Sequence, residues 1–375
     1  MTRYWIRFLA IIILLIFCSP GLHAASEWEI IHSGERRWDL LLADLEKATS
    51  SICLQTYTMS DDESGRAIAD VLIRKAGEGI KVRMLFDDLG CASELRSFFA
   101  GMTKTGAELR FITDLTRWGA LSKINVRNHR KIVVIDGNIG YMGGMNMKDD
   151  YHFKWLDTDV RIEGPAVGEL EKVFFNTWTS VGGTGPAVIP EESLPDEQIE
   201  ILAGGPAYPV FVKFFLKTLR EAREYIYFQT PYFCPPDTLV TAMKEAAARG
   251  VDVRLLVPHR TDLFYMDAAN RSFYPELLSA GVRIFEYLPC FVHSKTFTCD
   301  DRIYWIGSVN LDNRSLCRAY EVGACFRDAA TAVDQKRWFL GLLHDSHEIS
   351  LQETDSWSKG RRLLQRIPLL LKNQL

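Results

Sequence analysis

A chain of 375 residues, 47% hydrophobic and 25% charged, can bury the core of two domains or of one duplicated domain, which excludes a small disulfide-stapled module and a disordered chain. A formal net charge of −4 offers phosphate polymers no general attraction, so a protein that coats nucleic acid is disfavoured as well.

At the N-terminus, Arg3 and Arg7 precede an apolar run from Phe8 to Phe17, and Gly21 to Ser26 supplies small residues at cleavage positions. The run is about half of the ~20 residues a spanning helix needs, so residues 1–24 read as an export signal, cleaved after Ala24 or kept as a membrane anchor. Either outcome predicts an exported, membrane-associated protein with its catalytic part on the periplasmic or outer face. Of the remaining cysteines, none forms a CxxC pair or stands at zinc spacing from a histidine, so no metal site is expected; Cys53 and Cys234 read as packing residues.

The first ordered elements are a β-prone run from Thr49 to Thr56 ending in Gln55-Thr56, and a helix-period segment carrying Ile68, Val71, Leu72 and Lys75 that stops at Gly79. Strand-like runs follow at 80–86 and 106–111. Next comes Asn128-His129-Arg130-Lys131, a β-branched run to Asp136, then Gly143-Gly144-Met145-Asn146, and later Trp155-Leu156-Asp157. Residues 181–195 are rich in Gly and Pro and read as a linker between halves 25–180 and 196–375.

Beyond the linker the pattern returns. Arg223 to Thr230 again ends in Gln-Thr, a helix-period segment with Leu239, Met243, Ala246 and Ala247 stops at Gly250, and runs at 251–257 and 281–285 repeat the strands. His293 lies 164 positions after His129 (293 − 129), and Lys131/Lys295, Asp136/Asp300, Gly143/Gly307 and Asn146/Asn310 keep the same offset. Asp157 and Glu321 each lie 28 positions after their histidine (157 − 129, 321 − 293). Strands alternating with helices predict an α/β fold: two half-domains, each a mostly parallel mixed sheet flanked by helices, paired by a pseudo-twofold axis that brings the duplicated motifs together.

Two apart on a strand, His129 and Lys131 leave the same face, as do His293 and Lys295. Such a site suits a phosphodiester. Lys131, Lys295, Asn146 and Asn310 can donate to its non-bridging oxygens without a metal or other cofactor. One imidazole can attack phosphorus while the other protonates the leaving alkoxide, giving a covalent phosphohistidine that an alcohol or water resolves. Asp157 and Glu321 are candidates for orienting the imidazoles. Asp136 and Asp300, at odd spacing from their histidines, are expected to be structural partners.

These stretches resemble the phospholipase D superfamily, marked by a duplicated His-x-Lys-x4-Asp motif, and within it the bacterial cardiolipin synthases. The resemblance also rests on Glu163-Gly-Pro-Ala-Val167, Gln229-Thr-Pro-Tyr-Phe-Cys-Pro235 and Gly307-Ser-Val-Asn-Leu-Asp-Asn-Arg-Ser315. It implies the catalytic set His129, Lys131, Asp136, His293, Lys295 and Asp300, no cofactor, and phosphatidylglycerol and other phospholipids as partners at a membrane surface. The C-terminal tail from Trp357 to Lys372 mixes cations with bulky apolar residues, either as an interfacial segment or docked on the protein's own core. Phosphatidyl transfer to an alcohol is the leading function, hydrolysis through the same intermediate is the alternative, and an exported nuclease is disfavoured by charge.

Overall fold

The computed structural model describes residues 25–91, 96–112, 127–185, 196, 198–206 and 208–357. The signal or anchor expected at 1–24, most of the linker, and the tail after Trp357 lie outside them.

In the first half, strands β1 (Glu27–Ile31), β2 (Ser51–Thr56), β3 (Lys81–Phe86), β4 (Glu108–Phe111), β5 (Ile132–Ile135), β6 (Ile139–Gly143) and β7 (Asp159–Glu163) form a sheet in the order β1-β7-β6-β5-β2-β3-β4. The second half adds β8 (Ile199–Gly204), β9 (Tyr225–Gln229), β10 (Phe233–Cys234), β11 (Asp252–Pro258), β12 (Arg283–Tyr287), β13 (Thr296–Cys299), β14 (Ile303–Gly307), β15 (Leu311–Asp312), β16 (Glu321–Phe326) and β17 (Ser346–Ile349). Its main sheet runs β17-β12-β11-β9-β13-β14-β16-β8, the same order with β17 added at the edge, while β10 and β15 pair separately.

Both sheets are mixed, but less parallel than the alternation of strands and helices predicts. Parallel pairing is confined to β2–β3–β4 and to β9–β11–β12; the remaining pairs in both main sheets are antiparallel. The cause is the motif itself. Each duplicated segment folds into a hairpin, β5–β6 and β13–β14, and a tight turn can only join antiparallel neighbours. In the three-residue loops, Asp136 (φ 53°) and Gly137 (φ 68°), and Asp300 (φ 52°) and Asp301 (φ 51°), take the left-handed conformation, and Asn138 N and Arg302 N close the turns on Ile135 O and Cys299 O, both at 3.1 Å.

The helices obey local signals in both copies. Helix Glu63–Gly77 is capped by Asp62, and helix Asp237–Ala248 follows a proline. Each ends two residues before a glycine at φ 90°, Gly79 and Gly250, where the left-handed turn lets Ile80 N and Val251 N reach back to Lys75 O at 3.1 Å and Ala246 O at 3.2 Å.

The halves share a core. Ile132, Val134, Met142, Val160 and Ile162 meet Tyr304, Ile306, Val322, Ala324 and Phe326, with Phe174 and Trp178 of helix Val167–Ser180 filling the same cluster. Burial of this shared apolar surface fixes one half against the other. Cys53 and Cys234 are buried, and no disulfide joins any of the seven described cysteines. Trp357 is buried against Tyr274, ring centroids 6.3 Å apart, so the start of the tail docks on the protein's own core.

Candidate active site

The segments entering β5 and β13 do not simply continue their own sheets. Each pairs with the other half. His129 N donates to Tyr320 O at 2.9 Å and Tyr320 N to Arg127 O at 2.8 Å; symmetrically, His293 N donates to Leu156 O at 2.7 Å and Leu156 N to Phe291 O at 3.0 Å. These four bonds bring each histidine beside the carboxylate strand of the opposite copy.

The side chains follow the backbone. His129 Nδ1 lies 2.9 Å from Glu321 Oε1, and His293 Nδ1 lies 2.6 Å from Asp157 Oδ2. Both carboxylates are completely buried. Glu321 also accepts from the Ser308 hydroxyl, which in turn accepts from Val322 N at 3.0 Å. Asp157 accepts from Thr158 N at 2.7 Å. A carboxylate on Nδ1 selects the tautomer with its proton there and leaves the Nε2 lone pair for reaction.

The two dyads are not identical. Ser308 corresponds to Gly144, and a Cβ at Gly144 would stand 2.1 Å from Asp157 Oδ1, so glycine is what lets the shorter carboxylate approach. His129 keeps 16% of its side chain exposed and His293 6%. Aromatic rings wall both. Tyr57 stands edge-on to His129 at 5.3 Å, and Tyr151, Trp155 and Phe291 lie 5.0, 5.5 and 5.7 Å from His293.

Lys131 and Lys295 are each 1% exposed. Lys131 Nζ donates to His129 O at 2.7 Å, and Lys295 Nζ lies 3.0 Å from His293 Nε2. Burial pulls Lys131 down to about 7 and Lys295 to about 8; Glu321 and Asp157 oppose the fall, and the charge of Lys295 further depresses Lys131. Burial lowers both imidazoles below the usual histidine value, with the lysine charges acting in the same direction. Burial pushes Asp157 up to about 6 against Lys295. A set of buried, mutually repelling cations is one that an anion would stabilise.

The intervening residues, on the opposite face, tie the halves together. Arg130 donates to Glu321 O at 3.0 Å, Thr177 Oγ1 at 2.7 Å and Gly204 O at 2.8 Å, and Ser294 accepts from Thr158 Oγ1 at 2.9 Å. Asn146 is pinned near the site: its Oδ1 accepts from Thr56 Oγ1 at 3.1 Å and Thr58 N at 3.3 Å, and its Nδ2 donates to Tyr151 at 2.7 Å. Asn310 is buried, with its Oδ1 lacking a hydrogen-bond partner among the described residues.

Asp136 and Asp300, counted in the catalytic set by their motif, stand at the far end of β5 and β13 from the histidines. Asp136 accepts from Thr49 N and Ser50 N, both at 2.8 Å, and Ser51 N at 2.9 Å; Asp300 accepts from Arg223 N, Glu224 N and Tyr225 N at 2.9–3.0 Å. Each therefore clamps the start of the neighbouring strand, β2 or β9. Burial would raise both carboxyls, but these N–H donors outweigh it and hold them below the ordinary range. Asp136→Asn and Asp300→Asn, which turn an amide NH2 toward those donors, are expected to cost about 1–3 kcal/mol each with turnover per folded molecule retained. Because the folded-state carboxyl is depressed, its contribution is present above the ordinary carboxylate pKa and is lost progressively as pH falls toward the folded value; melts of wild type and variant should begin to converge below about pH 4.

Sequence reasoning passed over Ser308, Tyr57, Tyr151 and the pair Arg127–Asp87. Only Ser308 had a signal, its alignment with Gly144 at the repeat offset.

The family model described as cardiolipin synthase, PLD-like domain, matches residues 41–178 and 215–343. Cardiolipin synthase 2 of Bacillus anthracis is 36% identical over 363 aligned positions, covering 92% of this chain and 70% of the relative. Cardiolipin synthase A of Pseudomonas putida (strain GB-1) is 33% identical over 358, covering 93% and 75%. The crystal structure of phosphatidylserine synthase from Haemophilus influenzae Rd KW20 superposes with a TM-score of 0.72 at 14% identity, covering 93% of this chain and 95% of that one, which shows the shared duplicated fold. With the repeated motif, the crossed dyads and these relatives together, the chain is an enzyme of the phospholipase D superfamily, of the cardiolipin synthase type.

Proposed function

We propose that the protein is a phosphatidyltransferase that joins two phosphatidylglycerols into cardiolipin and glycerol through a phosphohistidine. The observation that carries this reading is the pair of histidine–carboxylate dyads, crossed between the halves, around two buried lysines. His129, the more open of the two, attacks phosphorus through Nε2, and the P–O bond to the headgroup glycerol breaks as His293 gives that oxygen its proton. His293, now neutral, takes the proton of the acceptor's hydroxyl as that oxygen attacks phosphorus, and the P–N bond to His129 breaks. Lys131 and Lys295 neutralise the equatorial oxygens throughout, with Asn146 and Asn310 as further donors. Asp157 and Glu321 orient the rings.

A membrane surface is the expected place of work, on the periplasmic or outer face of a bacterial membrane. Leu263 and Phe264 are exposed at the start of helix Phe264–Ser272, Phe264 by 86%, close to the site through Asp262, whose carboxylate accepts from Tyr232 at 2.5 Å. Tyr232 in turn faces Phe291 at 6.3 Å. Apolar side chains at a site's mouth favour insertion among lipids.

Incubation of purified protein with labelled phosphatidylglycerol is expected to yield cardiolipin and glycerol; phosphatidic acid alone would make hydrolysis the function. The lysines set a pH dependence. A charged amine is needed to bind the phosphodiester, so kcat/KM is expected to fall as pH rises through about 7 to 8, the values of the empty site. A bound anion favours the charged amines, which moves the alkaline limb of kcat to higher pH. A kcat/KM flat between about pH 7 and 9 would remove the lysines from this role.

A further inference from the structure

The pseudo-twofold site is chemically lopsided. At the position of Phe291 in the second half, the first half has Arg127 (291 − 127 again gives 164). Phe291 packs on Trp155 at 4.9 Å and faces His293, so that side of the site is aromatic. Arg127, two residues ahead of His129, is 6% exposed; its Nη2 is paired with Asp87, and its Nη1 has no hydrogen bond among the described residues. One edge of the guanidinium pairs with Asp87, but Asp87 also accepts from Gly90 N at 2.9 Å and Asn128 N at 2.8 Å, so it holds the arginine in place without occupying its five donors.

Tyr57 sets the scale. Its ring centroid lies 5.7 Å from Arg127 Cζ, 5.7 Å from Lys131 Nζ and 5.3 Å from the His129 ring, so the arginine and the lysine flank one aromatic ring next to the same histidine. A second cation stands nearby. Arg314 lies on helix Asn313–Cys317, whose Arg314 O accepts from Ala319 N at 3.0 Å, and the next residue, Tyr320, is the one that pairs with Arg127 O. Burial depresses Arg127 below the usual arginine value, with Arg314 pushing the same way. With Asp87 balancing its charge, Arg127 still brings unused N–H donors, and Arg314 a second guanidinium, to one side of a site whose lysines already serve one phosphate.

We infer that Arg127 and Arg314 form a subsite for a second phosphate, the phosphodiester of the lipid acceptor, held one glycerol length from the phosphorus that His129 attacks. The inference rests on the phosphatidyltransferase reading and deepens it. A planar, buried fork of N–H donors matches phosphate oxygens in two-point contact. Placed there, an acceptor that carries its own phosphate would present its free hydroxyl to the phosphohistidine, whereas a neutral alcohol would have nothing for the arginines to grip.

The test compares acceptors with the donor kept constant. Phosphatidylglycerol vesicles with and without ethanol allow cardiolipin and phosphatidylethanol to be measured from the same phosphohistidine. In Arg127→Gln and in Arg314→Gln the ratio of cardiolipin to phosphatidylethanol is expected to fall about ten- to hundredfold, the worth of a charge-assisted contact. A ratio within about threefold of wild type in both variants would overturn the subsite, because a merely structural arginine lowers both products together. Since Arg127→Gln leaves Asp87 buried and unpaired, Asp87→Asn/Arg127→Gln and Arg314→Gln carry the result if the single variant does not fold. Wild-type protein that makes neither product would instead overturn the functional reading and the subsite with it.

Discussion

His129→Ala and His293→Ala are each expected to lower cardiolipin formation by at least about a thousandfold while circular dichroism and melting temperature stay close to wild type. The two variants should fail at different bonds. A phosphatidyl donor with p-nitrophenol as its leaving group needs no acid to depart, so His293→Ala should release p-nitrophenol in a burst of about one equivalent and then stall as a phosphoenzyme. His129→Ala, lacking the nucleophile, should give no burst. Stability should change little even at the buried position, because Asp157, already pushed up to about 6, can take a proton when its imidazole partner is gone. A burst in His129→Ala with none in His293→Ala would exchange the two roles. Turnover above about a tenth of wild type in either folded variant would remove that histidine from the chemistry.

What the residue pattern carried and what it did not have separate physical causes. The repeat was legible because His, Lys, Asp, Gly and Asn recur at one offset, and identical spacing in two copies implies one backbone path used twice. The odd step from His129 to Asp136 already turned the aspartate away from the phosphate, and the hairpin turn at φ 53° is where that step leads. Helix ends at Gly79 and Gly250 were readable from the same local chemistry. The parallel share of each sheet was overstated because the hairpin signal Asp136-Gly137 was read as the close of a motif, and its counterpart Asp300-Asp301 has no glycine to announce the turn. The crossing of the dyads was invisible for a deeper reason. Equal 28-residue spacing states which carboxylate follows which histidine, whereas partnership is decided by the apolar surface shared across the pseudo-twofold axis. Arg127 and Asp87 went unnoticed because the second copy has phenylalanine at the arginine's position, so a search for recurrence passes over them.

The crossing itself makes a prediction that the spacing alone would assign the other way. Asp157→Asn and Glu321→Gln are each expected to slow turnover by about a hundredfold or more, since an amide can present a donor to Nδ1 and favour the tautomer in which Nε2 carries the proton. If Glu321 acts through His129, it belongs to the nucleophile although it lies in the second copy, and Asp157 belongs to the acid although it lies in the first. The p-nitrophenol burst separates them. In a His293→Ala background the acid is already absent, so adding Asp157→Asn should leave the burst rate within about tenfold, while adding Glu321→Gln should suppress it by about a hundredfold. Ser308→Ala, which removes one of the bonds that hold Glu321 in place, should slow the burst by a smaller factor in the same background. The crossed assignment fails if Asp157→Asn abolishes the burst and Glu321→Gln spares it, because each carboxylate would then serve the histidine of its own half. It fails equally if the two variants slow the burst alike, since carboxylates that act only through the total charge of the site have no reason to prefer one imidazole.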